Sequence, residues 1–361
     1  MKRILIIIIM LSMAACAFGV GDQAYLGMFA ETSQQKIAGM PDMGEMPALP
    51  PGMENMPGMP AGMGGPSRTL DIRLWSPSIA PDNASASIVP PAGLKQGSKL
   101  DLELYRPKAG ETGDEGGNGQ PMNPNLTIKF YWGSSATVKP GQPKVFVLGK
   151  LTPEQQSAMR AKARGTKSYF YKPNWTTGYW PTKKQPGKIA KDASLMGNFA
   201  LTTSYTGNVT IDCPANVDFL APIEMTSPVL SEPIAMDAAI AFTWKPIPNL
   251  LGSHAMITGM EGQNTIIMWS SSEVWQEGMM STDWGYLQMA DVLKYVQDTV
   301  MMSGTRANVT VPASIFKDCD VVNLTMTGYG PGAARDATQP LPRIQTKTSL
   351  TIMLGGKGMG Q

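Results

Sequence analysis

Between residues 68 and 355 the apolar positions recur at every second residue in short runs. Residues 69–75 (TLDIRLW), 99–105 (KLDLELY), 126–132 (LTIKFYW), 144–148 (KVFVL) and 209–213 (VTIDC) all follow this pattern. Period-two alternation sets one face of a strand on a core and the other toward solvent. Gly, Pro, Asn and Ser clusters punctuate the runs at 76–77, 90–91, 110–124 and 140–141, and these mark turns. Further strands are predicted at 238–244, 265–270, 309–311, 321–327 and 348–354. Many short strands with frequent turn signals point to a sandwich or barrel and not to alternating strands and helices.

Two helices interrupt the pattern. Thr152 offers an N-cap, Pro153 a first helical position and Gln155 the reciprocal cap, so a short polar helix is predicted over 153–164, stopped by Gly165. Asp283 can cap a second helix running past Asp291, with Leu287, Val292, Tyr295 and Val296 on one face. The predicted fold is therefore mainly β: two β-sandwich-like domains with short helical insertions. They cover 68–221 and 234–355, joined by a Pro/Ser-rich linker at 222–233 and followed by a frayed tail at 356–361. In the second domain a strand ending at Trp244, a turn through Pro246 and Pro248, and a hairpin resemble the start of a fibronectin type III or immunoglobulin-like sandwich. The resemblance covers about three strands.

The N-terminus changes the picture. Lys2 and Arg3 precede an unbroken apolar run at 4–11, then Ser12-Met13-Ala14-Ala15-Cys16. A positive start, a short oily core and small residues at its end form a secretory signal peptide over 1–15. The run falls short of the ~20 residues a membrane-spanning helix needs. Met13-Ala14-Ala15-Cys16 resembles the lipobox of bacterial lipoproteins. That resemblance implies acylation of Cys16 and, with Ala17 rather than Asp following, anchorage at the outer membrane, on its periplasmic or cell-surface face. The competing reading is cleavage after Gly19 and a secreted soluble chain.

Residues 16–67 are predicted to be a flexible tether between lipid and folded body. From Met40 to Gly65 the sequence is almost entirely Met, Pro, Gly and a few small or acidic residues. It lacks the aromatic and β-branched side chains that could offset the entropy of ordering. Met40, Met43 and Met46, then Met53, Met56 and Met59, recur at every third position, with Met63 following. Thioethers are soft ligands for Cu(I) or Ag(I), and the spacing resembles the methionine motifs of periplasmic copper- and silver-handling proteins. The plainer reading is a spacer in which Met is a tolerated unbranched residue.

Composition excludes more than it assigns. Charged residues are 16% and the net charge is +2, with no basic block, so the clustered footprint of a nucleic-acid binder is missing. His254 is the only histidine, and the sequence carries no HExxH, no Cys/His zinc spacing and no phosphate loop. No catalytic residue is assigned and no cofactor beyond copper(I). Tyr169, Tyr171, Trp175, Tyr179 and Trp180 lie among lysines and form either a ligand- or polysaccharide-binding face or a hairpin whose rings close one end of a sandwich. Cys213 and Cys319 are expected to be bonded, as paired thiols in an exported chain usually are. The expectation is a non-enzymatic envelope lipoprotein, a structural or interaction module whose partners are a membrane, through the lipid, and other envelope proteins or polysaccharide. The alternatives are a Cu(I)/Ag(I) binder and a glycan-binding or glycan-acting protein.

Overall fold

The computed structural model describes residues 24–40, 65–106, 123–152, 174–275, 284, 287–336 and 343–356. The chain is mainly β. In order, the strands of the first half are β1 (Tyr25–Ile37), β2 (Ser67–Ser76), β3 (Ala86–Val89), β4 (Leu100–Asp101), β5 (Glu103–Tyr105), β6 (Thr127–Trp132), β7 (Lys144–Val147), β8 (Thr176–Trp180), β9 (Gly197–Thr203) and β10 (Val209–Cys213). The second half holds β11 (Met225–Ser227), β12 (Ile240–Trp244), β13 (Gly252–Glu261), β14 (Thr265–Ser270), the helix α1 (Met289–Gln297), β15 (Met302–Ser303), β16 (Asn308–Val311), β17 (Val321–Tyr329), β18 (Ala333–Ala334) and β19 (Arg343–Gly355).

One long sheet runs through both halves in the order β5-β8-β2-β1-β19-β17-β13-β14-β6-β7, with β15 on β13 and β18 on β19. A four-stranded sheet, β10-β9-β3-β4, covers one part of it, and a three-stranded sheet, β11-β12-β16, covers another. The first core packs Leu26, Ile72 and Trp180 of the long sheet against Ile88, Phe199 and Ile211. The second packs Ile257, Trp269 and Ile352 against Phe242, Val309 and Phe316. Removing one such fully buried aromatic typically costs about 3–5 kcal/mol.

β19 joins the two cores. Its inward residues are Ile344, in the first core, then Thr346 and Thr348, then Leu350, Ile352 and Leu354, in the second. The seam between the cores is therefore lined by hydroxyls. Thr346 donates to the Pro331 carbonyl at 2.7 Å, and Thr32 of β1 donates to the Leu220 carbonyl at 2.7 Å. Buried polar groups are tolerated where they are hydrogen-bonded in this way; the Thr348 hydroxyl, buried in the same seam, has no such partner among the described residues.

Three expectations about domain organisation change. Within the predicted tether 16–67, residues 25–37 form β1, paired along its length with β19 in parallel and β2 antiparallel. The Met-rich stretch thus lies between two neighbouring strands, Ser33 facing Ser67 across the ladder, and not between lipid and body. Within the predicted linker 222–233, Met225–Ser227 pairs with β12. The predicted strand 99–105 is two strands: Asp101 pairs with Ser87 in the four-stranded sheet and Glu103 with Tyr179 in the long one. A strand that turns a corner between sheets does this. The helix predicted over 153–164 lies outside the described residues. The second predicted helix is α1, which begins at Met289; Leu287 precedes it, and Asp283 lies outside the described residues.

Candidate functional site: the open face of the long sheet

The small sheets cover one face of the long sheet. The other presents the odd-numbered positions of β1, β2, β8 and β19, most of them half-buried or exposed. Strand register places these side chains in rows.

The first row is Tyr25, Trp75, Thr177 and Tyr105, on β1, β2, β8 and β5. Trp175 packs on Tyr25 with ring centroids 5.4 Å apart. Gly27 follows on β1, and a Cβ there would come 3.0 Å from the Phe29 ring and 3.1 Å from Trp75. The bare glycine lets those rings close over the backbone. The next rows are charged. Arg73 pairs with Asp71 at 2.9 Å and lies over the Tyr179 ring at 5.8 Å. Burial pushes the Asp71 carboxyl above its ordinary range, outweighing Arg73 beside it. Lys347 pairs with Glu31 at 3.1 Å, and the Ser349 hydroxyl donates to the same carboxylate at 2.5 Å.

A hydroxyl row crosses the middle: Ser67, Ser33, Ser349 and Thr327, in register on four strands and ending at His254 of β13. His254 is buried. Its Nε2 lies 2.8 Å from the Ser270 hydroxyl, and its ring stacks on Trp284 at 3.7 Å with the planes 6° apart. α1 closes over this end because Gly252 has no side chain; a Cβ there would lie 2.6 Å from Val296. Burial alone pushes the imidazole down to about 3, so it is neutral at physiological pH. A Ser–His contact at this distance suits general-base catalysis. Here both members are buried, His254 under an indole, and no carboxylate accounts for any of the shift. The arrangement is a packed polar contact. At the far end, Trp275 meets Phe130 and Trp132 at 5.3 and 5.2 Å, with the Lys144 ammonium 4.4 Å over its ring.

A cavity of ≈ 160 Å³ opens beside α1, between Leu287, Val292 and Tyr329 on one side and Phe29, Arg343 and Lys347 on the other. A second, of ≈ 250 Å³, lies on the covered side by Tyr131, Cys319 and the Lys129–Glu261 pair, which is 2.9 Å long. Burial pushes the Cys319 thiol up to about 11, so it is protonated and a poor nucleophile.

The sequence-assigned residues scatter. Trp175 and Tyr179 stand on the open face. Trp180 does not: it is fully buried in the first core, because neighbours on a strand point to opposite faces. Met40 is exposed in the turn after β1. Cys16, Met43, Met46, Met53, Met56, Met59, Met63, Tyr169 and Tyr171 lie outside the described residues. Among the described residues no group of three or more His, Cys, Asp or Glu could hold a metal ion. The expected disulfide is absent. Cys213 and Cys319 are free and buried, one in each core. Burial holds the Cys213 thiol at about 12. Both thiols are therefore expected to resist alkylation in the native protein and to react in full once it is denatured. Mass spectrometry after a native and a denaturing alkylation reads this; a pair lost only with reductant would restore the bond.

Sequence reasoning missed Tyr25, Trp75 and Tyr105. Each lies at or next to the end of its strand, and only register brings them into one row.

No protein-family model matches the chain, and no curated protein matches it. No helix among the described residues is long and apolar enough to cross a membrane.

Proposed function

We propose that the protein is an exported envelope lipoprotein, acylated on Cys16, that works without catalysis as a binding or scaffolding module through the open face of its long sheet. The observation that carries this reading is the face itself. Its aromatic, ion-paired and hydroxyl side chains stand in register across neighbouring strands, most of them half-buried, on a scaffold held by two cores. Rigid, flat surfaces of amphipathic rings and paired polar groups suit an extended partner, such as another envelope protein or a polysaccharide chain. The buried neutral imidazole and the protonated thiols support a non-catalytic role.

The test has two parts. The mature N-terminus should be Cys16 carrying acyl chains; an unmodified chain beginning at Val20 rejects the lipoprotein reading. Thr69 and Thr325 are exposed on the open face. In a chain beginning at Val20, which carries no lipid, Thr69→Glu with Thr325→Glu should weaken co-sedimentation with isolated envelope fractions roughly tenfold or more, the scale of a charge set against a complementary surface, with the thermal midpoint almost unchanged. Unchanged sedimentation rejects the face.

A further inference from the structure

The reach of the anchor decides which end of the fold meets the membrane. Eight residues, 17–24, separate Cys16 from Tyr25. Even fully extended they span only about 30 Å. Tyr25 opens β1, so a lipid on Cys16 holds the β1-start end of the long sheet within that distance of the bilayer.

That end is where the aromatic row lies. Tyr25, Trp75, Thr177 and Tyr105 are in register there, and Trp175 packs on Tyr25 one step further out. Trp75 is buried beneath, whereas Tyr105 is 43% exposed. The turn after β2 adds an aliphatic side chain. The Ala80 backbone N–H donates to the Thr176 hydroxyl at 2.9 Å, which sets Ile79 beside the start of β8, and Ile79 is 56% exposed. Single exposed apolar residues need no explanation. An exposed Ile in a turn at the same end of the sheet as these Tyr and Trp side chains, the end that the anchor holds, does. Tyr and Trp favour the headgroup layer, where the ring body is apolar and the polar tip wet.

On the reading that Cys16 is acylated, we propose that this end of the sheet is a second membrane contact: Tyr25, Trp175, Tyr105 and Ile79 seat in the headgroup layer of the bilayer that holds the lipid. A short link raises the effective concentration of the contact to the mM range, so even a weak interfacial affinity is populated once the anchor is in place. The contact orients the body, fixing which way the open face looks from the membrane. A polysaccharide could also stack on these rings, but it has no use for Ile79, and the eight-residue link places lipid, not glycan, at this end.

The experiment replaces the natural acyl group, which separates this proposal from the question of acylation in cells. A chain beginning at Cys16 is coupled through that thiol to maleimide-headgroup lipid in phosphatidylcholine vesicles containing brominated phosphatidylcholine. Cys213 and Cys319 are buried and do not compete. Tryptophan emission should be quenched by the brominated lipid. Trp175→Phe should lose most of that quenching, and Ile79→Asp should lower occupancy of the contact about tenfold, the equilibrium cost of losing one buried aliphatic side chain, with far-ultraviolet dichroism unchanged in both. Quenching that is absent, or equal in the native chain and Trp175→Phe, overturns the proposal. So does binding of the uncoupled chain to peptidoglycan sacculi that Ile79→Asp leaves intact and Trp175→Phe removes. An unacylated N-terminus found in cells would reject the lipoprotein reading and leave the vesicle result standing on its own.

Discussion

Met28→Asp should unfold the protein or come close to it, while Gln35→Asp on the same strand should be almost silent. Both lie on β1. Met28 is fully buried in the first core and faces Ile344 of β19 and Ile72 of β2 in the ladder. An unpaired carboxylate there must be desolvated or protonated, and either costs several kcal/mol, about 4–5 or more with the lost packing. A domain's whole stability is about 5–15 kcal/mol. Gln35 points to the open face and is half-buried, where a charge costs at most about 1 kcal/mol. Urea denaturation of both variants measures the contrast. Equal effects would mean that β1 is not an integral strand of the sheet, and the placement of the anchor beside the aromatic row would fail with it.

That strand shows where sequence patterning stops. The strand at 209–213 was legible because its inward residues Val209, Ile211 and Cys213 are all apolar and its outward ones polar. β1 buries Leu26, Met28 and Ala30, but then Thr32 and Gln34. Two polar residues at inward positions break the alternation, and the strand reads as a mixed stretch. Thr32 can sit inside only because the Leu220 carbonyl, 188 positions away, accepts its hydroxyl. Local propensity carries no trace of such a partner. The same reason hides from the sequence that one long sheet runs through both sandwich-like halves. β19 alternates throughout, but the switch from Ile344 to Leu350 between cores is visible only once its partners are known.

The site was legible in kinds of residue and not in grouping. The aromatic cluster around Trp175 signalled amphipathic rings. Period two, taken strictly, would have separated Tyr179 from Trp180, one facing out and the other into the core. Tyr25, Trp75 and Tyr105 are strand-end residues brought together by pairing among β1, β2, β8 and β5. Register depends on long-range contacts, so the row is a property of the fold. The cysteines failed for a related reason. Oxidising surroundings make a bond favourable in general, but the fold packs the two thiols into different cores, where both are free.

The single histidine makes acid stability a direct test of the buried polar contact. In the unfolded chain His254 titrates at its ordinary value of 6.5; in the folded protein burial takes it down to about 3. The unfolded state therefore binds the proton more readily, and stability rises with pH across that interval. The contribution is fully present above pH 7 and is lost as pH falls through 6.5 toward 3, at about 1.4 kcal/mol for each unit. By pH 4.5 roughly 2–3 kcal/mol should be gone. Other groups act at the lower edge of this window and in both directions. Burial raises the Glu273 carboxyl, but hydrogen bonds from Lys139 and Arg306 outweigh it and hold it below its ordinary range, so it too destabilises the fold on acidification. Asp71 is held above its range by burial and works the other way. His254→Gln removes the imidazole and leaves both carboxylates in place. It should cost about 1–3 kcal/mol at pH 7, through the lost stack on Trp284 and the changed contact with Ser270. The difference in stability between native and variant should then shrink steadily from pH 7 to 4.5. A constant difference would show that the imidazole reaches solvent or finds an anion in the folded protein, and the exclusion of His254 from chemistry would fall. A shrinking difference leaves it as a neutral packing group, buried against Trp284 and Ser270 throughout this pH range.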